Sequence, residues 1–196
     1  DWPQVAGNTS HVVQHTAASG PLRQIWSTDI GKGSGRKTRV LASPVISDGV
    51  VYTMDGNNTV VAVSEQNGDK LWNFKVEVEE REKTRVGRTG IVDRIKDPLS
   101  FTDGSGRDKE GVGGGVAIDG NTLFVASGLG AVVALDPQTG AEKWRYEART
   151  PMHSAPVASN GRVFVVSDDN EVFAFNANTG EVLWTYQAIV EMARML

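Results

Sequence analysis

The chain contains no cysteine among its 196 residues. That removes disulfides, thiolate metal sites and a cysteine nucleophile together. Histidine is scarce: His11, His15 and His153 are all there is. His11 and His15 lie four apart, but no helical pattern aligns them, and no Ser-His-Asp order or His–carboxylate cluster stands out as catalytic. No apolar run approaches the roughly 20 residues that cross a bilayer as a helix. Helical periodicity is too short for a crossover helix, so a parallel sheet is not expected; only Ile189 to Leu196 has helical character. Neither sign of charge prevails. Twenty basic against twenty-four acidic residues leave a net charge of -4, which gives no general attraction for nucleic acid or anionic lipid. The chain opens on Asp1-Trp2-Pro3-Gln4 with no initiator Met and no apolar leader. Residue 1 is therefore expected to be a mature or trimmed start, any export signal or lipid anchor lying upstream.

What the chain does have is an internal repeat. Asp48–Phe74, Asp119–Tyr146 and Asn160–Tyr186 align on sight, and in each an Ala is followed six residues later by Gly and ten residues later by Trp. The triplets are Ala62, Gly68, Trp72; Ala134, Gly140, Trp144; and Ala174, Gly180, Trp184. Each copy opens on a polar-Gly pair (Asp48-Gly49, Asp119-Gly120, Asn160-Gly161) of the kind that reverses a hairpin. A β-branched and aromatic run follows, then a second polar turn, a second apolar run, a turn ending in Gly, and an outer strand bearing the Trp. Upstream, Ser43–Ile46, Gly115–Ile118 and Ala155–Ala158 supply an inner strand. Four strands per copy make a propeller blade.

The spacing agrees. Trp144 to Trp184 is 40 residues and Trp26 to Trp72 is 46, both suited to blades of about 40–45 residues. Trp72 to Trp144 is 72, which leaves roughly 30 extra residues over one blade period. The expected class is all-β: a propeller of four-stranded antiparallel blades, with three blades and one closing strand present. The boundaries read are residues 22–29 for the closing outer strand, 41–76 for a blade and 77–112 for an inserted loop. Residues 113–149 and 153–188 make two further blades, and 189–196 begin the next connection. The insertion, with mixed charge and many glycines, is expected to be the least regular part of the chain.

Ala134-Leu135-Asp136-Pro137-Gln138-Thr139-Gly140-Ala141-Glu142-Lys143-Trp144 resembles the tryptophan-docking motif of quinoprotein-type propellers. The third copy has Asn176 for the Asp, and the first has Ser64 and Asn67 at the Asp and Thr positions. The resemblance implies that Trp72, Trp144 and Trp184, with Gly68, Gly140 and Gly180, dock one blade on its neighbour. Within that superfamily the chain is most similar to the BamB-type family of outer-membrane protein assembly lipoproteins. The matching residues are Trp2-Pro3-Gln4, Gly7-Asn8, Ile25-Trp26, Gly113–Ala117 and Met152–Pro156. Members of that family are eight-bladed, so this would be a partial ring.

Other motifs are weaker. Gly31-Lys32-Gly33-Ser34-Gly35-Arg36-Lys37-Thr38 has Arg36 where a phosphate-binding loop has its second Gly, and a strand follows it in place of a helix. It reads as a loop between blades which, with Arg39, forms a small basic patch. Asp103-Gly104-Ser105-Gly106-Arg107-Asp108 hints at a calcium loop but holds an arginine and lacks the bidentate Glu. Glu77 to Arg94 mixes both signs of charge and reads as solvated surface or as a docking loop.

No catalytic, cofactor-binding or metal residues are expected. The resemblance implies a non-catalytic periplasmic scaffold at the inner face of the outer membrane. Its partner would be the POTRA domains of the barrel-assembly protein BamA, and it would hold the membrane only through an upstream lipid anchor. By the same resemblance Thr150, Pro151, Met152 and His153 form the partner-binding loop, although the family's Arg is missing from it and Arg149 precedes it. The alternatives are a fragment of a pyrroloquinoline-quinone-dependent dehydrogenase, and a sensor or adhesion propeller. Three blades in an open arc would leave apolar faces uncovered, so self-association or contact with further blades is expected.

Overall fold

The computed structural model describes residues 2–4, 21, 23–35, 38–78, 112–148 and 150–187. Their strands form three four-stranded antiparallel sheets. The first blade is β1 (Val45–Ser47), β2 (Val50–Met54), β3 (Thr59–Ser64) and β4 (Lys70–Lys75). The second is β5 (Gly114–Asp119), β6 (Thr122–Ser127), β7 (Ala131–Leu135) and β8 (Glu142–Glu147). The third is β9 (Val157–Ser159), β10 (Arg162–Val166), β11 (Glu171–Asn176) and β12 (Val182–Gln187). Within each blade every strand pairs with the next in sequence, and on the inner side β5 lies against both β1 and β9. The chain is thus an arc of propeller blades.

Alternation within the middle blade explains its unbroken apolar runs. Leu123, Val125, Ala131, Val133 and Leu135 pack toward the first blade, on Tyr52, Val60 and Ala62. Phe124, Ala126, Val132 and Ala134 pack toward the third, on Val163, Val165, Phe173 and Phe175. A strand buried on both faces has no polar side to show, so its sequence cannot alternate.

The hairpin turns mostly sit where the polar-Gly pairs lie. Asp48 and Gly49 have φ of 51° and 75°, and Asn160 and Gly161 have 53° and 72°, left-handed values that Asn, Asp and Gly tolerate best. The second copy differs. Asp119 pairs with Thr122 as the last residue of β5, so the loop is Gly120-Asn121, one residue later than Asp119-Gly120 implies.

Tryptophan docking joins the blades. The Trp72 Nε1–H donates to the Pro137 carbonyl at 2.9 Å, and Trp144 Nε1–H to the Ala177 carbonyl at 2.8 Å. Each acceptor belongs to the following blade, seven residues before that blade's own tryptophan. The indole faces lie flat on the turn glycines. A Cβ built on Gly140 would stand 2.7 Å from Trp72, and one on Gly180 would stand 2.6 Å from Trp144. Trp26 makes the same contact. Its Nε1–H donates to the Glu65 carbonyl at 2.8 Å, and its ring lies on Gly68. Residues Gln24–Ser27, expected as an outer strand, have no ladder pairing among the described residues, yet Trp26 takes the place of a preceding blade's docking residue.

Two further features aim each tryptophan. The outer strand carries a bulge one residue before it, at the register shifts Ala62/Val63, Ala134/Leu135 and Ala174/Phe175. A bulge turns the next side chain. The cross-strand partner of each Trp is the fully buried Ala of the triplet, small enough to let the indole lie down.

Trp72 is half-buried and Trp144 buried, but Trp184 is 46% exposed. Trp184 differs because no described blade lies beyond β12 to receive it. Replacing Trp144 by Ala should cost ~3–5 kcal/mol, and Trp184→Ala well under half of that. Chemical denaturation of the two variants checks this, and equal losses would contradict the docking geometry.

Tyr52 shares the Pro137 carbonyl with Trp72, its hydroxyl donating at 3.2 Å. Burial first, then the charges of Asp48 and Asp136, push its pKa up to about 12. The fold thus favours the neutral phenol. That stabilisation is complete below the unfolded value near 10 and disappears as pH rises through 12. Roughly 2–3 kcal/mol should be lost across that window, and Tyr52→Phe should flatten the slope. Alkaline denaturation curves read it directly.

Candidate partner-binding loop and cleft

A loop leads into each blade and is tied to that blade by one backbone hydrogen bond. The carbonyls of Lys32, Gly113 and Pro151 accept from the amides of Gly56, Gly128 and Asp168 at 2.8, 3.2 and 3.0 Å. Those amides occupy one repeat position, 16 residues before each tryptophan. The loop before the third blade contains the four predicted contact residues, and the structure divides them. Thr150 is half-buried, Pro151 and His153 are exposed, and Met152 is completely buried.

Met152 packs with Phe124, Trp144, Val165 and Phe173 between the second and third blades. This corrects its reading as a contact residue: its side chain is the anchor of the loop. His153 is held by two neighbours. Its Nε2 lies 2.8 Å from the Asp168 carboxylate, and its ring lies on Gly113, where a Cβ would stand 2.4 Å from Nδ1. Ala155 rests on Gly115 in the same way, and the Gly114 amide donates to the His153 carbonyl at 3.1 Å. The glycine run of the second blade is thus the bed of the loop of the third.

Thr150 also borders a cleft of about 400 Å³ between these blades, with Tyr146, Phe173 and Gln187 in its wall. Glu147, Asp169 and Glu171 bring three carboxylates to it. An aromatic wall beside carboxylates suits a cationic side chain. Sequence reading missed this cleft. Asp168-Asp169-Asn170 registers only as a turn, and nothing in spacing brings Glu147 across from another blade.

The near-miss phosphate loop is filled by its own blade. The Lys32 amide donates to the Asp55 carboxylate at 2.9 Å, the Thr38 hydroxyl donates to the Gly33 carbonyl at 2.9 Å, and Thr38 is buried. Arg36, Lys37, Arg149, His11, His15, the Asp103–Asp108 loop, residues 79–111 of the insertion and Ile189–Leu196 lie outside the described residues. Among the described residues no three His, Asp or Glu side chains converge on a metal-sized site. The docking turns of the second and third blades are alike. The Asp136 carboxylate accepts the amides of Gln138 and Thr139 and the Thr139 hydroxyl, and Asn176 repeats the two amide bonds. The hydrogen bonds from Thr139, amide first, hold the Asp136 pKa below the usual carboxylate range.

A family model described as outer membrane protein assembly factor BamB matches residues 4–107 and 98–196. Among curated proteins, BamB of Burkholderia pseudomallei (strain K96243) is 28% identical over 166 residues, covering 85% of this chain and 34% of that protein. Quinohemoprotein alcohol dehydrogenase ADH IIB of Pseudomonas putida is 26% identical over 191 residues, covering 86% of the chain and 24% of the enzyme. The chain therefore spans about a third or less of these relatives. Among solved structures, BamB from Moraxella catarrhalis superposes with a TM-score of 0.53 at 16% identity, over 83% of this chain and 39% of that one. Quinohemoprotein alcohol dehydrogenase from Comamonas testosteroni gives 0.63 at 19% identity, over 96% and 27%. Both carry the same propeller architecture.

Proposed function

We propose that this chain, which belongs to the family of the outer membrane protein assembly factor BamB, is part of a non-catalytic scaffold of the barrel-assembly machinery. It lies in the periplasm beside the outer membrane and binds the POTRA domains of BamA through the loop Thr150–His153. One observation carries the reading: Pro151 and His153 stand exposed on a loop whose middle residue, Met152, is buried between two blades. A loop fixed by a core anchor presents its tips without losing conformational freedom on binding, which favours affinity. The cleft beside Thr150 supplies carboxylates for a basic side chain of the partner.

Likeness to quinohemoprotein dehydrogenases favours a second reading, a fragment of a quinone-dependent enzyme. One set of measurements separates the two. Purified whole protein should retain BamA POTRA domains in a pull-down, and Pro151→Ser with His153→Ala should weaken binding roughly tenfold without unfolding. Dye-linked alcohol oxidation after addition of pyrroloquinoline quinone should stay at background. Turnover with quinone, or unchanged POTRA affinity in the double variant, would reverse the assignment.

The outer face of the third blade carries Trp184, Tyr186 and Val166 exposed. We take its occupant to be another blade, from the whole protein or from a second copy. The 196-residue chain alone should sediment as a concentration-dependent oligomer, and Trp184→Ser should shift it toward monomer. A monomer at all concentrations would contradict this.

A further inference from the structure

The first strand of every blade is an edge. β1, β5 and β9 pair within their sheets on one side only, with β2, β6 and β10. Half of their backbone groups therefore point inward, away from the sheet, and an open edge is a template for another extended segment.

In this structure the segment Trp2–Gln4 lies on those edges and touches all three. Trp2 forms an antiparallel bridge to Ile46 in β1, with N–H···O=C bonds of 2.6 and 2.9 Å in the two directions. The Pro3 carbonyl accepts from the Ile118 amide of β5 at 2.8 Å. The Gln4 side-chain amide donates to the Ala158 carbonyl of β9. Ile46, Ile118 and Ala158 are one position of the repeat: each lies 26 residues before its blade's docking tryptophan. One contact per blade, at one repeat position, means that the inner edges offer a periodic set of backbone partners and that the segment follows it.

The residue types fit this role. Proline has no N–H to leave unsatisfied and is extended by preference, so Pro3 is suited to a step that needs only its carbonyl. Gln4 carries a donor on a side chain long enough to reach the next blade, and it is 2% exposed. Its Oε1 has no partner among the described residues. Among the described residues, the hydrogen bond of this buried amide is the one to Ala158.

We propose that the inward edges of β1, β5 and β9 form a binding track for an extended peptide, one contact per blade, and that Trp2-Pro3-Gln4 is its built-in occupant. The ligand class is an extended segment with an aromatic residue, a proline and a side-chain amide in succession. The inference does not depend on the scaffold reading, since it concerns the axis and not the loop Thr150–His153.

The test uses the chain lacking residues 1–4 and a synthetic peptide of residues 1–8. Amide hydrogen exchange is followed at Ile46 and Ile118, with Val61 inside the first blade as the control. Removing the segment should speed exchange at Ile46 and Ile118 at least tenfold and leave Val61 unchanged. Adding the peptide should restore both, and the peptide should bind the intact chain at least tenfold more weakly than the shortened one. Unchanged exchange at Ile46 and Ile118, or a peptide that restores neither, would overturn the proposal. Should the shortened chain not fold, Gln4→Glu in the intact chain replaces it, since a carboxylate facing the Ala158 carbonyl has no hydrogen to donate. At pH 7 that variant should admit the peptide at least tenfold more tightly than the unaltered chain, and equal affinities would count against the track.

Discussion

An indole lying flat on the backbone of the next blade is the contact on which this arrangement rests. It asks three things at once of distant residues. The receiving turn must carry no side chain, which Gly140 and Gly180 satisfy at φ of 73° while reversing the chain. A carbonyl must point up from that turn for the indole N–H, as those of Pro137 and Ala177 do. The donor strand must also tip its tryptophan over, which the bulge and the small alanine beneath it allow. A buried indole N–H without its acceptor would forfeit much of what the ring gains by burial. Glycine, carbonyl, bulge and alanine therefore act as one unit, and they recur as one unit in the repeat.

That coupling explains what was legible in the sequence. The Ala, Gly and Trp of each copy stand at fixed spacing because each is locked to the others in space. The strands between them were legible too, since apolar runs between polar-Gly turns have few other uses. Departures trace to features that leave no local mark. Moving the turn of the second copy to Gly120-Asn121 changes nothing in composition, because Asp119 serves as well in a strand end as in a turn. Trp26 sits in no visible copy of the motif, although its distance from Trp72 is one blade period. Its role appears only when Gly68 is seen beneath it. Met152 stands in a loop by every sequence criterion, and only the meeting of two blades makes that place a core.

Function is a separate matter, and the physics shows why. The docking unit serves cohesion between blades and makes no demand on the axis or on the loops. The propeller fold is shared by proteins with unlike tasks, and this chain stands at similar identity to an assembly factor and to an alcohol dehydrogenase. Room for a particular task is left in the segments outside the unit: the loops that lead into blades, the clefts between them, and whatever lies along the inner strands.

The loops that lead into the three blades are fastened at one point whatever their length. Lys32, Gly113 and Pro151 stand 40, 31 and 33 residues before their tryptophans, yet each delivers its carbonyl to the same amide of the repeat. The distance along the chain is free while the point of attachment is fixed. Since lengthening a loop adds only slowly to its closure entropy, such a connector can grow, shrink or be exchanged and still be stapled at one place. A propeller built in this way separates inheritance of shape from inheritance of surface: the blades can be copied faithfully while each connector drifts toward a different acquaintance.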